Sequence, residues 1–383
     1  MMILSLSLAS CSVIAGGNTG FDLESLLVAV FDPQPGEVIL ILVDQPHGKL
    51  VDNQGWEQRR EMAKEWQMAF QKLAKKRDLT VLPLLTYQAT GAHNAPLPEF
   101  GEMDAHSVNL EDVVSGINIA VSLTEYSATA PLIKFSEKFP QFRAASMPTA
   151  SRSMESTALL ADYSEVARKC AILGEKLDRA IKARLEFSTS HQLMIDLRDR
   201  KAEVDDGQLP ADKTGVRVIN LPSGEAFSAP YEGELDGQPS LTQGEMPMLY
   251  GDDLLVLQIQ ENRVIELLNE GPAAQKLAAW LEVDSARKNL AELGLGCNDK
   301  AVVTGNVLED EKVLGVHLAL GRSDHIGGTV GVENFSDPAY VVHWDIVYPR
   351  GGEIEVVRLV FDYEDGGQEE IIRDGNYTLF GMK

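Results

Sequence analysis

Pro35-Gly36-Glu37-Val38-Ile39-Leu40-Ile41-Leu42-Val43-Asp44 is the stretch that decides the fold. A turn pair opens it, and an unbroken aliphatic run from Val38 to Val43 follows. Such a run, without polar alternation, belongs to a strand covered on both faces. Gly55 to Arg77 then reads as a helix whose buried stripe is Met62, Trp66, Phe70 and Leu73. Leu79 to Leu85, Ile117 to Leu123 and Phe142 to Met147 are further strands separated by polar or helix-like segments. Strands alternating with helices predict a mostly parallel sheet with helices on its faces, an α/β N-terminal domain over residues 21–184.

A long amphipathic helix from Ser164 to Ala183, with Val166, Cys170, Leu173, Leu177 and Ile181 as its stripe, is expected to bridge the two halves. The texture then changes to short alternating runs. His191 to Leu197, Val216 to Leu221, and Leu254 to Ile259 turning at Glu261-Asn262 into Val264 to Leu268 read as strands. A helical stretch from Ala273 to Leu293 is followed by strands at Val313 to Leu320, Val341 to Val347 and Glu355 to Asp362. Arg198 to Gly215 has no period and reads as a loop. The second domain, residues 185–383, thus reads as an α+β, strand-rich unit, with the boundary near residue 185.

With 383 residues and 44% hydrophobic content the chain buries a large core. Its 34 basic against 58 acidic residues give a net charge of -24, which disfavours nucleic acid and anionic membrane surfaces as partners. No stretch has the roughly 18 apolar residues of a membrane span. Cys11, Cys170 and Cys297 are odd in number and widely spaced, against a disulfide framework and in keeping with a reducing compartment. The opening MMILSLSLASC ends its apolar run at Cys11 like a short lipoprotein leader, yet has no Lys or Arg before that run. A buried first strand or a loose tail, and a cytoplasmic location, are the expectation. Lys72, Lys75, Lys76 and Arg77 end a helix, where cations suit the dipole, and read as solvated. Cys297 reads as a buried structural thiol.

His343-Trp344-Asp345 carries the chemistry. On a strand, residues two apart share a face, so His343 and Asp345 project together while Trp344 turns away. Upstream stand His317 and two carboxylates near glycines, Glu225 and Glu292. Taken singly, a histidine on an apolar strand is more often a satisfied core residue, and a Glu beside Gly is common at turns. Together they bury enough polarity to cost several kcal/mol, as an order of magnitude, unless something satisfies it. Three carboxylates and two imidazoles suit zinc, cobalt, manganese or magnesium, and exceed the roughly three or four ligands that one catalytic ion takes. Two ions are expected, sharing a water acidified toward neutrality, and hydrolysis is the natural reaction. The chain has no GxxxxGK[ST] loop, GxGxxG fingerprint, HExxH helix or GxSxG elbow.

Asn220-Leu221-Pro222-Ser223-Gly224-Glu225-Ala226-Phe227-Ser228-Ala229-Pro230, Ala291-Glu292-Leu293-Gly294-Leu295-Gly296, Asp310-Glu311-Lys312, His317-Leu318-Ala319-Leu320-Gly321 and His343-Trp344-Asp345 fall in a set order. Over about residues 185 to 350 the chain thereby resembles the thermophilic-type metallo-aminopeptidases. The resemblance implies that Glu225, Glu292, His317, His343 and Asp345 hold two divalent metals, that small peptides or amides are the substrates, and that the protein is a homodimer. Glu292 or Glu225 would handle the proton. One departure stands out: where the family carries a tyrosine thought to stabilise the charged intermediate, this chain has Asp324. An aspartate is no neutral donor to an oxyanion; His325 beside it can donate instead, and Asp324 can contact a substrate amine.

A branch similar in fold, the 2,5-dihydroxypyridine dioxygenases, holds one iron, keeps the His-x-Asp pair, has histidine in place of Glu292, and lacks counterparts of Glu225 and His317. Retention of all five ligands here favours the two-metal hydrolase. A mononuclear iron ring-cleaving dioxygenase and a catalytically silent metal- or ligand-binding member are the alternatives.

Overall fold

The computed structural model describes residues 20–381; the leader-like segment with Cys11 lies outside them. Val38–Gln45 is the central strand of the first sheet. Its alternate residues enter two different cores. Ile39, Ile41 and Val43 pack with Met62, Trp66, Phe70 and Leu73 of the helix Gln54–Arg77. Leu40 and Leu42 pack on the other side with Leu85, Leu110, Leu132 and Phe142. The aliphatic run is unbroken because neither face meets water.

The parallel part of this sheet runs Val218–Asn220, Arg143–Pro148, Ile119–Thr124, Val38–Gln45, Leu85–Gln88. Antiparallel strands Phe100–Met103 and His106–Asn109 extend one edge. Leu79 to Leu85, expected as one strand, is two pieces, Thr80–Val81 and Leu85–Gln88. Pro83 lies between them and has no N–H for the ladder. Among the cations ending the long helix, Lys72 and Lys76 pair with Glu24 at 3.8 and 2.9 Å and Arg77 with Asp32 at 3.1 Å, so three of them dock the neighbouring helix Leu23–Phe31 and its cap.

The second half is strand-rich, as expected, with two antiparallel sheets. One runs Arg263–Leu267, Asp253–Gln260, Gln243–Tyr250, Gln192–Asp196, Ala180–Phe187, Val356–Tyr363, Gln368–Arg373, Asn376–Tyr377. Here the expected helix Ser164 to Ala183 is shorter: it covers Tyr163–Arg179, and Ile181 belongs to the strand Ala180–Phe187. In that strand Ala183, Leu185 and Phe187 are buried at alternate positions, a period of two that replaces the helical period after Leu177. Asp162 caps the helix start through Ser164 N and Glu165 N.

The other sheet carries the site. Its order is Glu203–Asp205, Glu225–Ser228, Leu290–Gly296, Gly315–Gly321, His343–Pro349. The stretch Ala273 to Leu293, expected as helical, is helical only over Pro272–Leu281. Asp284 caps a 3-10 turn at Ser285–Lys288, and a wholly buried strand begins at Leu290. Glu292 therefore sits inside a strand. Cys170 and Cys297, distant in sequence, are free, buried, and in contact at 3.4 Å between sulfurs.

Candidate metal centre

Register places the candidate ligands. Across the antiparallel pairs Glu225 opposes Gly296, His317 opposes Gly294, Glu292 opposes Ala319, Asp345 also opposes Ala319, and His343 opposes Gly321. Directly opposed residues share a face. Five polar side chains from four adjacent strands thus project to one side, interleaved with Gly294, Gly296, Ala319 and Gly321, which leave them room. The opposite face, with Leu293, Leu295, Val316, Leu318, Leu320, Ile346 and Tyr348, lies in the main core. Trp344 turns that way too and meets the Trp280 ring edge-on at 4.8 Å.

Gly294 is indispensable for the packing. A Cβ there would stand 1.9 Å from His317 Nε2, so only glycine lets the imidazole lie across the neighbouring strand.

Two overlapping groups result: Glu225, Glu292 and His317, then Glu292, His343 and Asp345. His317 Nε2 is 3.3 Å from Glu292 Oε1 and 3.5 Å from Glu225 Oε2. His343 Nε2 is 3.0 Å from Glu292 Oε2 and 3.4 Å from Asp345 Oδ1. Glu292 gives one oxygen to each side. His317, 1% exposed, marks the deep end, and His343, 21% exposed, the open end. His343 Nδ1 lies 2.7 Å from the Arg322 carbonyl oxygen. Only an N–H can bond a carbonyl, so Nε2 is left to face the carboxylates.

The electrostatics call for positive charge. Burial pulls the His317 pKa down, yet its hydrogen bond to Glu292 and the charges of Glu292, Glu225 and Asp345 push it up to about 9. His343 moves the same way against burial, through Asp345 and Glu292. Burial pushes Glu292 up, and bonds from the two imidazoles outweigh it and hold the carboxyl below its usual range. Glu225 Oε2 and Asp345 Oδ1 are buried and accept no hydrogen bond from the described residues. Oxygen-rich, imidazole-supported and short of donors, the arrangement fits divalent cations, which would neutralise what protons on the histidines otherwise balance.

Asp324 stands outside both groups, paired with Arg322 through two bonds, the longer 3.1 Å. His325 is nearer the centre: its ring centroid is 4.9 Å from that of His343, edge to face. Desolvation, then the neighbouring His343, lowers its pKa to about 4, so its imidazole is neutral at pH 7. The segment bearing it is anchored by Glu232, which accepts from Thr329 Oγ1 at 2.6 Å and from Ser323 Oγ. Lys312, in the segment Asp310-Glu311-Lys312, has no local sequence signal for a part in the site. Lys312 is fully buried, and its ammonium bonds Glu225 Oε1 and Glu311 Oε1 and lies 3.7 Å from Asp205 Oδ2.

Fold and site together define a mixed α/β protein with a candidate metal centre on an antiparallel sheet. Residues 148–377 match the family model of the thermophilic metalloproteases (M29), more than half of the chain, and the chain belongs to that metallopeptidase family. No curated protein matches it. Among solved structures, a 2,5-dihydroxypyridine dioxygenase from Pseudomonas putida KT2440 is similar with a TM-score of 0.62 and 14% identity, over 94% of this chain and 96% of that one. Wild-type AmpT from Thermus thermophilus is similar with a TM-score of 0.50 and 15% identity, over 93% of this chain and 99% of that one. At these identities the likenesses show the fold. Among the described residues no helix is long and apolar enough to cross a membrane.

Proposed function

We propose that the chain is a metal-dependent hydrolase of the aminopeptidase type that removes N-terminal residues from small peptides. Glu225, Glu292 and His317 would hold one divalent cation, and Glu292, His343 and Asp345 a second, Glu292 serving both. The cations, zinc, cobalt, manganese or magnesium, supply an acidified water and polarise the scissile carbonyl. The chain's own residues do the rest. Glu292, its two oxygens facing the two imidazoles, is placed to take up or return a proton, with Glu225 the alternative base. His325, a neutral imidazole at the open end, donates to a developing oxyanion where the family's phenol is missing. Asp324 presents a carboxylate for a substrate amine beside Arg322. The protein works as a homodimer in the cytoplasm, and the 21–184 and 185–383 portions act as sheet scaffold and metal-binding part.

A single observation carries this reading: one carboxylate is common to two three-residue ligand groups. A facial triad for one iron takes two histidines and one carboxylate; drawn from His317, His343 and Glu292, it leaves the carboxylates of Glu225 and Asp345 without a role. The test pairs aminoacyl-anilide hydrolysis under added cobalt, zinc or manganese with oxygen uptake on 2,5-dihydroxypyridine. Amide cleavage without oxygen uptake is expected. Oxygen uptake with bound iron would replace the hydrolase by an oxygenase, and bound metal without turnover by a silent member.

A further inference from the structure

Glu225 has little steric guidance on one side: directly across that ladder is Gly296, and next along the same face is Gly294, neither with a side chain. Across its other ladder stands Asp205. Polar contacts therefore bear on its orientation. Lys312 supplies one: its ammonium bonds Oε1, while Oε2 accepts no hydrogen bond and faces His317 Nε2 at 3.5 Å.

The lysine is itself pinned. Lys312 N donates to Glu309 O at 3.0 Å, and Lys312 O accepts from Asn298 N at 3.0 Å, which ties its backbone to the turn after the Leu290–Gly296 strand. Glu311 Oε1 takes a second ammonium bond and Asp205 flanks it. A wholly buried cation is tolerated only with such partners. One lysine among three carboxylates therefore spends its directionality on splitting the two oxygens of Glu225 between separate tasks.

We propose that Lys312 is a positioning residue that holds Glu225 as a one-oxygen ligand and thereby shapes the deeper of the two cation positions. The proposal rests on the two-cation reading. It assigns Lys312 no contact with substrate. Because Lys312 contacts neither His343 nor Asp345, its effect falls on the Glu225–Glu292–His317 group and spares the Glu292–His343–Asp345 group.

The experiment titrates metal-stripped full-length protein with cobalt alone, comparing wild type with Lys312→Met, while thermal melting of each form is followed. Wild type is expected to bind two cations. Lys312→Met is expected to keep one at nearly the wild-type affinity and to bind the other about tenfold or more weakly. Two cations bound equally well by the variant would overturn the role of Lys312 alone. So would a parallel weakening of both positions in step with the melting temperature, the mark of a structural lysine. Wild type that binds fewer than two cations would overturn the two-cation reading itself. A structure of cobalt-loaded wild type stands independent of how the variant folds: Glu225 Oε1 is expected to stay on Lys312 with only Oε2 at the cation, and chelation through both oxygens would overturn the proposal.

Discussion

Gly294 and His317 oppose one another across two antiparallel strands, and the imidazole occupies the space where a side chain at 294 would begin. The candidate site is built into a sheet, where backbone hydrogen bonds set the spacing of its side chains. Gly294→Ala must push the His317 ring away from Glu225 and Glu292. Cobalt affinity at the deep position is expected to fall about 10- to 100-fold, measured by titration, with the secondary structure retained by circular dichroism. Unchanged affinity would mean that His317 is not a ligand.

His325 is expected to act on turnover and not on metal content. His325→Phe keeps a ring beside His343 and removes the donor. The kcat for aminoacyl-anilides should drop about 100-fold, while metal analysis gives the wild-type stoichiometry. Equal kcat would remove His325 from the reaction.

In the first sheet, Asp44 offers a pH test remote from the metal centre. It is fully buried and accepts from Trp56 Nε1 at 2.8 Å and from the Glu125 and Tyr126 amides. Burial, against those bonds, raises its pKa from 3.8 to about 6. The folded state then binds a proton that the unfolded state has released between about pH 4 and pH 6, so this contribution is present below that window and is lost as pH rises through it. Relative to Asp44→Asn, wild type should lose about 2 kcal/mol across the window in urea unfolding. A constant difference would show that Asp44 titrates normally.

Arg143 joins two distant segments. It is 1% exposed, forms an ion pair with Glu37 at 2.7 Å, and donates to the Leu209 and Phe31 carbonyls. Arg143→Met leaves the Glu37 carboxylate buried and unpaired, and a loss of about 3–5 kcal/mol is expected by denaturant unfolding. A loss below about 1 kcal/mol would show that Glu37 finds water.

Legibility in the sequence followed the range of the forces involved. Val38 to Val43 could be read because one unbroken run reports burial on both faces. Gln243–Tyr250 could not: Gly244 and Pro247 interrupt its pattern, and pairing with Asp253–Gln260 along its length and with Gln192–Asp196 at its start makes it a strand. Ile181 fits a helical and an alternating period alike, which is why the helix seemed to run past Arg179. Of the five candidate ligands, Glu225 and Glu292 could be read as carboxylates near glycines, and His343 and Asp345 as a pair two apart on one strand. The glycine at 294 that admits His317, and Lys312 with partners 87 and 107 positions away at Glu225 and Asp205, depend on register between distant strands, which no local pattern records.

Anomalous diffraction from a crystal of the full chain loaded with zinc or cobalt tests the centre most directly. Two peaks are expected in each chain, one among Glu225, Glu292 and His317 and one among Glu292, His343 and Asp345. A single peak, or peaks away from Glu292, would contradict the two-cation centre.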